Sequence, residues 1–196
     1  MIGQRGTAGN MLEVEIKLKL ESIEDMENRL KDSGYTRSEH ILETDVYVDT
    51  PSDNIRISGK ACRVRTIKDL DSGDSCSYLT FKGEKTDTIS MTRAEYETQI
   101  DSSDTGLAIL RELGFYPVKP CVVKERILYT KGKLNACLDR VKDLEDYLEL
   151  EIISDADDKD SALDEIWNEL SALGYSKENV VNTSYLSMLQ GRTDAD

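Results

Sequence analysis

Charged side chains in this chain fall repeatedly at every second position. In "MLEVEIKLKL" (residues 11–20) Glu13, Glu15 and Lys17 alternate with Val14, Ile16 and Leu18. "CRVRT" sets Arg63 and Arg65 against Cys62 and Val64, and "YLTFK" sets Tyr78, Thr80 and Lys82 against Leu79 and Phe81. "VVKER" contributes Lys124 and Arg126, "CLD" contributes Asp139, and "YLELEI" sets Glu149 and Glu151 against Leu148, Leu150 and Ile152. Carboxylates two apart on a strand lie about 7 Å apart along the chain. Acids brought together from the first and last of these runs could hold Mg²⁺ or Mn²⁺, which take oxygen ligands and keep several waters. Arg and Lys donors match phosphate oxygens, and Arg binds two at once. A metal site beside clustered bases is the equipment of phosphoryl or nucleotidyl chemistry, in which the protein mainly positions and neutralises a polyphosphate.

The elements that must position these residues are legible from the same periodicity. Strict alternation predicts strands at 11–20, 44–50, 59–67, 76–85 and 90–100, and in "VKPCVVKERILYT", "KLNACLDRV" and "DYLELEII". The apolar stripe Ile23, Met26 and Leu30, capped by Ser22 and ended by Gly34, predicts a helix. Leu107, Leu110 and Leu113 predict a second, and Leu163, Ile166, Trp167, Leu170 and Leu173 a third. A short terminal helix covers "NTSYLSML". Three helices end in Gly plus an aromatic, and "EVEIK" in the first half has a faint echo in "VVKER" in the second.

A single half-polar strand ordinarily turns its charges to water. Here the helices carry broad apolar faces that need a covering partner, and the apolar strand faces supply it. The expected fold is therefore α+β: a closed eight-stranded antiparallel β-barrel with helices packed outside and the charged faces turned inward. Such an interior cannot be a dry core, because buried charge without partners is prohibitive.

Composition narrows the partners. The 196 residues carry 39 acids against 25 Lys and Arg, a formal net charge of −14. That repels nucleic acid and anionic membranes at long range, yet leaves room for a small anion where bases converge. Cys62, Cys76, Cys121 and Cys137 form no C-x-x-C pair, and His40 is the only histidine, which argues against zinc and for reduced thiols in a cytoplasmic protein. "MIGQRGTAGN" lacks the apolar run of a signal peptide; residues 1–10 are expected to be a disordered leader, with Met11 an alternative start, and 191–196 a flexible tail around one domain at 11–190.

"EVEIK" resembles the E-x-E-x-K signature of the CYTH superfamily, the triphosphate tunnel metalloenzymes. The resemblance continues in order through "ETDVYVDTP", "CRVRT", "YLTFKG", "TRAEYET", "VVKERILY", "CLDRVKDLEDYLELEI" and "SYLSML". It implies an eight-stranded tunnel that binds a small-molecule triphosphate, ATP or inorganic triphosphate, with Mg²⁺ or Mn²⁺. Carried over by motif, Glu13, Glu15, Glu149 and Glu151, with Asp139 nearby, resemble metal ligands. Lys17, Arg63, Arg65, Lys82, Lys124 and Arg126 resemble the phosphate binders, with Arg93 and Glu95 of "RAE" on the same strand series. Glu13, Glu15 and Lys17 form the implied catalytic set. "HILETDVYVDTP" and "SYLSML" look most like the class IV adenylyl cyclase branch, which makes cyclic AMP and pyrophosphate from ATP; that branch usually has an aromatic where this chain has Ile41. His40 itself reads as a surface or strand-edge histidine. The same tunnel equally suits a triphosphatase acting on inorganic triphosphate, thiamine triphosphate or a nucleotide, or a non-catalytic polyphosphate sensor. Relatives also make a homodimer an expectation to hold open.

Overall fold

The computed structural model describes residues 11–51, 55–85 and 92–191. The expected leader, and the expected tail beyond Gly191, lie outside these residues. Alternation builds β1 (Met11–Leu20), β2 (Thr36–Asp49), β3 (Ala61–Asp69), β4 (Ser75–Lys82), β5 (Arg93–Ile100), a two-residue β6 (Tyr116–Pro117), β7 (Val122–Lys131), β8 (Leu134–Val141) and β9 (Asp146–Asp155). The helices are α1 (Ile23–Asp32), α2 (Ser103–Glu112), α3 (Lys159–Ala172) and the short α4 (Tyr185–Leu189).

The strands run in the order β3-β4-β5-β1-β9-β8-β7-β2, every pair antiparallel, and pairing of β2 with β3 closes the ring. The chain thus forms the expected closed eight-stranded barrel, with β6 added at the end of β2. One seam is short. β1 meets β5 only at Leu12–Ala94 and Glu13–Arg93, whereas it pairs with β9 along its whole length. Farther along the free edge of β1 the segment after α3 takes over: Leu18 bridges to Val180, and the Val181 N–H donates to the Lys17 carbonyl at 2.8 Å.

The outer faces of the strands are covered by helices. Ser22 accepts the Asp25 N–H at 3.1 Å and starts α1; Ser102 accepts the Thr105 N–H at 3.2 Å and starts α2. Met26 and Leu30 of α1 and Ile166 and Leu170 of α3 bury the outward side chains of β1, β8 and β9, among them Ile16, Leu138, Leu148 and Leu150. Leu110 of α2 packs on Cys62 and Val64 of β3. That helix lies close: a Cβ on Gly106 would meet Ile100 Cδ1 at 2.7 Å.

Some expectations need correction. β2 begins at Thr36, eight residues before the alternation at 44. A register shift between Arg37 and Glu39 breaks the period there, and both faces carry polar residues. Leu113 caps the end of α2 and is 68% exposed, so it does not join the stripe of Leu107 and Leu110. The order strand–helix–strand occurs twice, as β1-α1-β2 and as β5-α2-β6. The four cysteines are free thiols. Among the described residues no helix is long and apolar enough to cross a membrane.

Leu150→Ala empties a site with no solvent contact beneath α3 and should cost about 2–5 kcal/mol in urea unfolding followed by circular dichroism. Ile109→Ala, on the exposed side of α2, should stay within about 0.5 kcal/mol of the parent. Equal losses in the two variants would contradict the division into covered and open faces.

Candidate active site

Strand parity places all six predicted bases inside the barrel. Lys17, Arg63, Arg65, Lys82, Lys124 and Arg126 are each buried, at 3–9% exposure. Glu15 and Glu149 are buried with them, and Asp139 has no exposure at all. Register explains the grouping. Across β1 and β9, Glu15 faces Glu151 and Lys17 faces Glu149. Across β7 and β8, Arg126 faces Asp139; across β2 and β3, Asp45 faces Arg65.

The acids divide into two kinds by what holds them. Asp139 takes a two-pronged grip from Arg126, with Nε and Nη2 each at 2.6 Å, and Lys124 Nζ donates to it at 3.0 Å. Glu149 accepts from Arg126 and faces Lys17 Nζ at 3.2 Å. Asp45 is gripped by Arg65 at 2.6 and 2.8 Å and bound by Arg63 at 3.2 Å, while Glu43 accepts from Arg65 at 2.8 Å. These carboxylates fix the bases. Burial alone would raise Glu149 and Asp45; Lys124, Lys17 and Arg126 hold Glu149 well below the usual carboxylate range, and Arg63 and Arg65 lower Asp45.

Glu13, Glu15 and Glu151 form the second kind. An oxygen from each lies within 4.8 Å of the others. Burial, then the neighbouring Glu149 carboxylate, pushes Glu15 up to about 8 despite Lys17 at 3.8 Å. Burial, then Glu95, raises Glu13 against the opposing charge of Lys82, which donates to it. Three crowded oxygen donors, two of them reluctant to ionise without a cation, fit a hard divalent metal such as Mg²⁺ or Mn²⁺. Of the five acids expected at a metal, this cluster contains three. Glu149 and Asp139 share the interior but are engaged by bases.

Two buried donors point to an anion. Among the described residues Arg63 Nε and Arg93 Nε have no hydrogen-bond partner, and both residues line the interior cavity. A buried N–H left unpaired costs on the order of 1–3 kcal/mol, which an anionic oxygen would relieve. The cavity is narrow, about 60 Å³, because the side chains reach across it to one another. A broader depression of about 570 Å³ lies outside the barrel between Lys131 and α3. It is lined by Asp164, Glu165 and Glu169, and its one base, Lys131, is held by Glu169 at 2.9 Å, so its charge is wrong for a phosphate.

Sequence reasoning missed Glu43, which precedes the strand expected at 44–50, and Asp45 within it, because no base shares their strand face. It also left Tyr185 of α4 without a role; its ring lies over Lys17 Nζ at 4.3 Å. His40 is where it was expected, on the outer face, 2.7 Å from Glu125.

A closed barrel with an acid cluster and six buried bases turned inward defines an ionic tunnel protein. The family model for the CYTH domain matches residues 11–185, and the chain belongs to the CYTH family. It is 35% identical over 179 residues, 91% of this chain and 98% of the other, to a Methanocaldococcus jannaschii protein named "Putative adenylate cyclase MJ0240". The solved structure of the PH1819 protein from Pyrococcus horikoshii superposes with a TM-score of 0.81 at 27% identity, covering 91% of this chain and 98% of that one. A Hippeastrum protein named "Putative adenylyl cyclase HpAC1", described as having a dominant triphosphatase activity, shares the fold at 16% identity, with a TM-score of 0.62 over 93% and 96% of the two chains.

In the metal-free protein Glu15 keeps its proton to about pH 8, whereas the unfolded carboxyl releases it near 4.5. Between those values the native state binds more protons than the unfolded state, so this group's contribution to stability falls as pH rises. A divalent cation must displace that proton. Calorimetric titration with Mn²⁺ should therefore show affinity climbing from pH 6 to 8, with proton release that Glu15→Gln reduces, Glu13 supplying the remainder. Affinity independent of pH would exclude Glu15 as a ligand.

Proposed function

We propose that this chain is a metal-dependent enzyme acting on a triphosphate, and that it is a class IV adenylyl cyclase converting ATP to cyclic AMP and pyrophosphate. The observation that carries the reading is the crowding of Glu13, Glu15 and Glu151 within 4.8 Å of one another, beside acids that grip the arginines. Anion binding alone calls for no crowded carboxylates, so a purely sensory role leaves Glu13, Glu15 and Glu151 without a purpose.

Glu13, Glu15 and Glu151 would hold Mg²⁺ or Mn²⁺. When bound, the ion would lower the pKa of the ribose 3′-hydroxyl and offset phosphate charge. The remaining work falls to the chain's own bases. Arg63 and Arg93 offer their unpartnered Nε donors to phosphate oxygens. Lys17, Lys82, Lys124 and Arg126 already face the cavity and would exchange carboxylate partners for phosphate. They would align the triphosphate so that the 3′-oxygen bonds to the α-phosphorus while the bond to the bridging oxygen breaks and pyrophosphate departs with the charge they stabilise.

A second reading has its own support. Among the described residues the cavity lining is almost wholly ionic, with Tyr47 and Tyr185 as its aromatics. That ionic lining favours recognition of the triphosphate group itself. In that case water attacks the terminal phosphorus and the chain is a triphosphatase. The same strands serve both reactions; what differs is the phosphorus that meets the nucleophile.

Product analysis separates the readings. With Mg²⁺ or Mn²⁺ and ATP, cyclic AMP plus pyrophosphate is the expected outcome; orthophosphate from ATP or inorganic triphosphate would establish the hydrolase, and binding without turnover the sensor. Glu15→Gln should reduce turnover by on the order of a hundredfold, since even an outer-shell change near a metal can cost that much. Its melting temperature should hold near neutral pH, because Gln mimics the protonated Glu15 of the metal-free site. Full activity in that variant would remove Glu15 from the reaction.

A further inference from the structure

Tyr185 opens α4, the short helix that follows the segment lying along β1. Ser184 caps the helix by accepting the Ser187 N–H at 3.2 Å, which sets the angle at which Tyr185 enters the barrel. The side chain is deeply buried, at 7% exposure, and its ring meets the Tyr147 ring edge-on at 5.1 Å. Lys17 Nζ sits 4.3 Å and Lys124 Nζ 5.1 Å from the ring centroid. The hydroxyl donates to Asp139 Oδ2 at 2.9 Å, the oxygen that also receives Lys124 and Arg126.

A ring face attracts an ammonium group yet takes up none of its N–H donors in conventional hydrogen bonds. A carboxylate partner holds the same ammonium by occupying those donors, and an incoming phosphate must compete with it. Lys17 and Lys124 have both kinds of partner. Glu149 lies 3.2 Å from Lys17, and Glu43 and Asp139 lie 3.3 and 3.0 Å from Lys124. When phosphate displaces those carboxylates, the ring can keep both cations aimed into the cavity.

We propose that Tyr185 is a positioning residue for triphosphate binding: its ring seats the Lys17 and Lys124 ammonium groups, and its hydroxyl steadies Asp139. This rests on the reading of the interior as a triphosphate site. The apolar side of α4 has a separate task. Leu186 packs, with Tyr185, in the cluster of Val122, Val141 and Tyr147 and anchors the helix, and it is not among the residues that line the cavity.

The test is calorimetric titration of inorganic triphosphate into the full-length protein in EDTA, where binding is read without turnover. Tyr185→Leu should weaken binding by on the order of tenfold or more, the loss of two desolvated cation–ring contacts. Tyr185→Phe, which keeps the ring, should recover affinity to within about threefold of wild type. Leu186→Ala should lower the melting temperature while holding triphosphate affinity, which separates loss of the ring from loosening of the helix. The proposal is overturned if Tyr185→Leu binds as wild type does, if Phe fails to recover what Leu loses, or if Leu186→Ala weakens binding as much as Tyr185→Leu. Wild-type protein that binds no triphosphate in EDTA would overturn this inference, and one that binds none with Mg²⁺ either would overturn the functional reading itself.

Discussion

Everything in this molecule answers to one constraint: ionised groups enclosed by a barrel must neutralise one another or be neutralised by something that enters. Desolvating a single charge costs more than most folds can offset. Here the cost is met in local sets, each drawn from adjacent strands. Arg65 with Glu43 and Asp45 spans β2 and β3, and Arg126 with Asp139 and Glu149 spans β7, β8 and β9. The sets interlock through Lys124, which reaches Glu43, Asp139 and Glu149. What remains is chemically pointed: the crowded carboxylates of Glu13, Glu15 and Glu151, and two guanidinium N–H groups with no acceptor among the described residues. A metal-bound polyanion is complementary to both remainders at once.

The outer layer is a consequence of the same arrangement. Because side chains alternate, a strand that turns Glu13, Glu15 and Lys17 inward must turn Val14, Ile16 and Leu18 outward. Those outward faces need cover, and α1 and α3 provide it. At the β1–β5 seam, where the ladder is only two residue pairs long, the segment after α3 lies along the exposed edge of β1 and delivers α4 and Tyr185 to the interior. Closing the barrel and furnishing its cavity are here the work of one stretch of chain.

This explains what was legible in the sequence. Period-two alternation is a local property, so the inward face of each long strand could be read directly, and with it the barrel and the six bases. The division of labour among the acids is not local. Whether Glu149 or Glu151 joins the acid cluster depends on which cross-strand neighbour carries a base, and register is fixed only when the ring closes. Glu43 and Asp45 were passed over for the same reason, since their partners Arg63 and Arg65 lie on the next strand. The start of β2 was hidden by the shift near Arg37. Tyr185 was invisible because a helix at the C-terminal end gives no sign that its first side chain points into a sheet.

Ile41 draws these lines together. It departs from the aromatic expected after His40, and its place in the fold shows what an inward apolar residue does here. It shares the inner face of β2 with Glu43 and Asp45 and packs with Ile67 of β3 and Tyr78 of β4, both inward by the same parity. These three are nearly fully buried and take no part in lining the cavity. Along β2, β3 and β4 the interior therefore changes from ionic to apolar within one step of the pleat. On these three strands an anion moving past Arg65 would meet Ile41, Ile67 and Tyr78, and its last charged donor at that level is Arg126, across from Ile41 on β7. The ionic cavity thus ends on an apolar floor along these strands, and the charge of any bound polyphosphate is confined to the part of the barrel that holds the bases and the acid cluster.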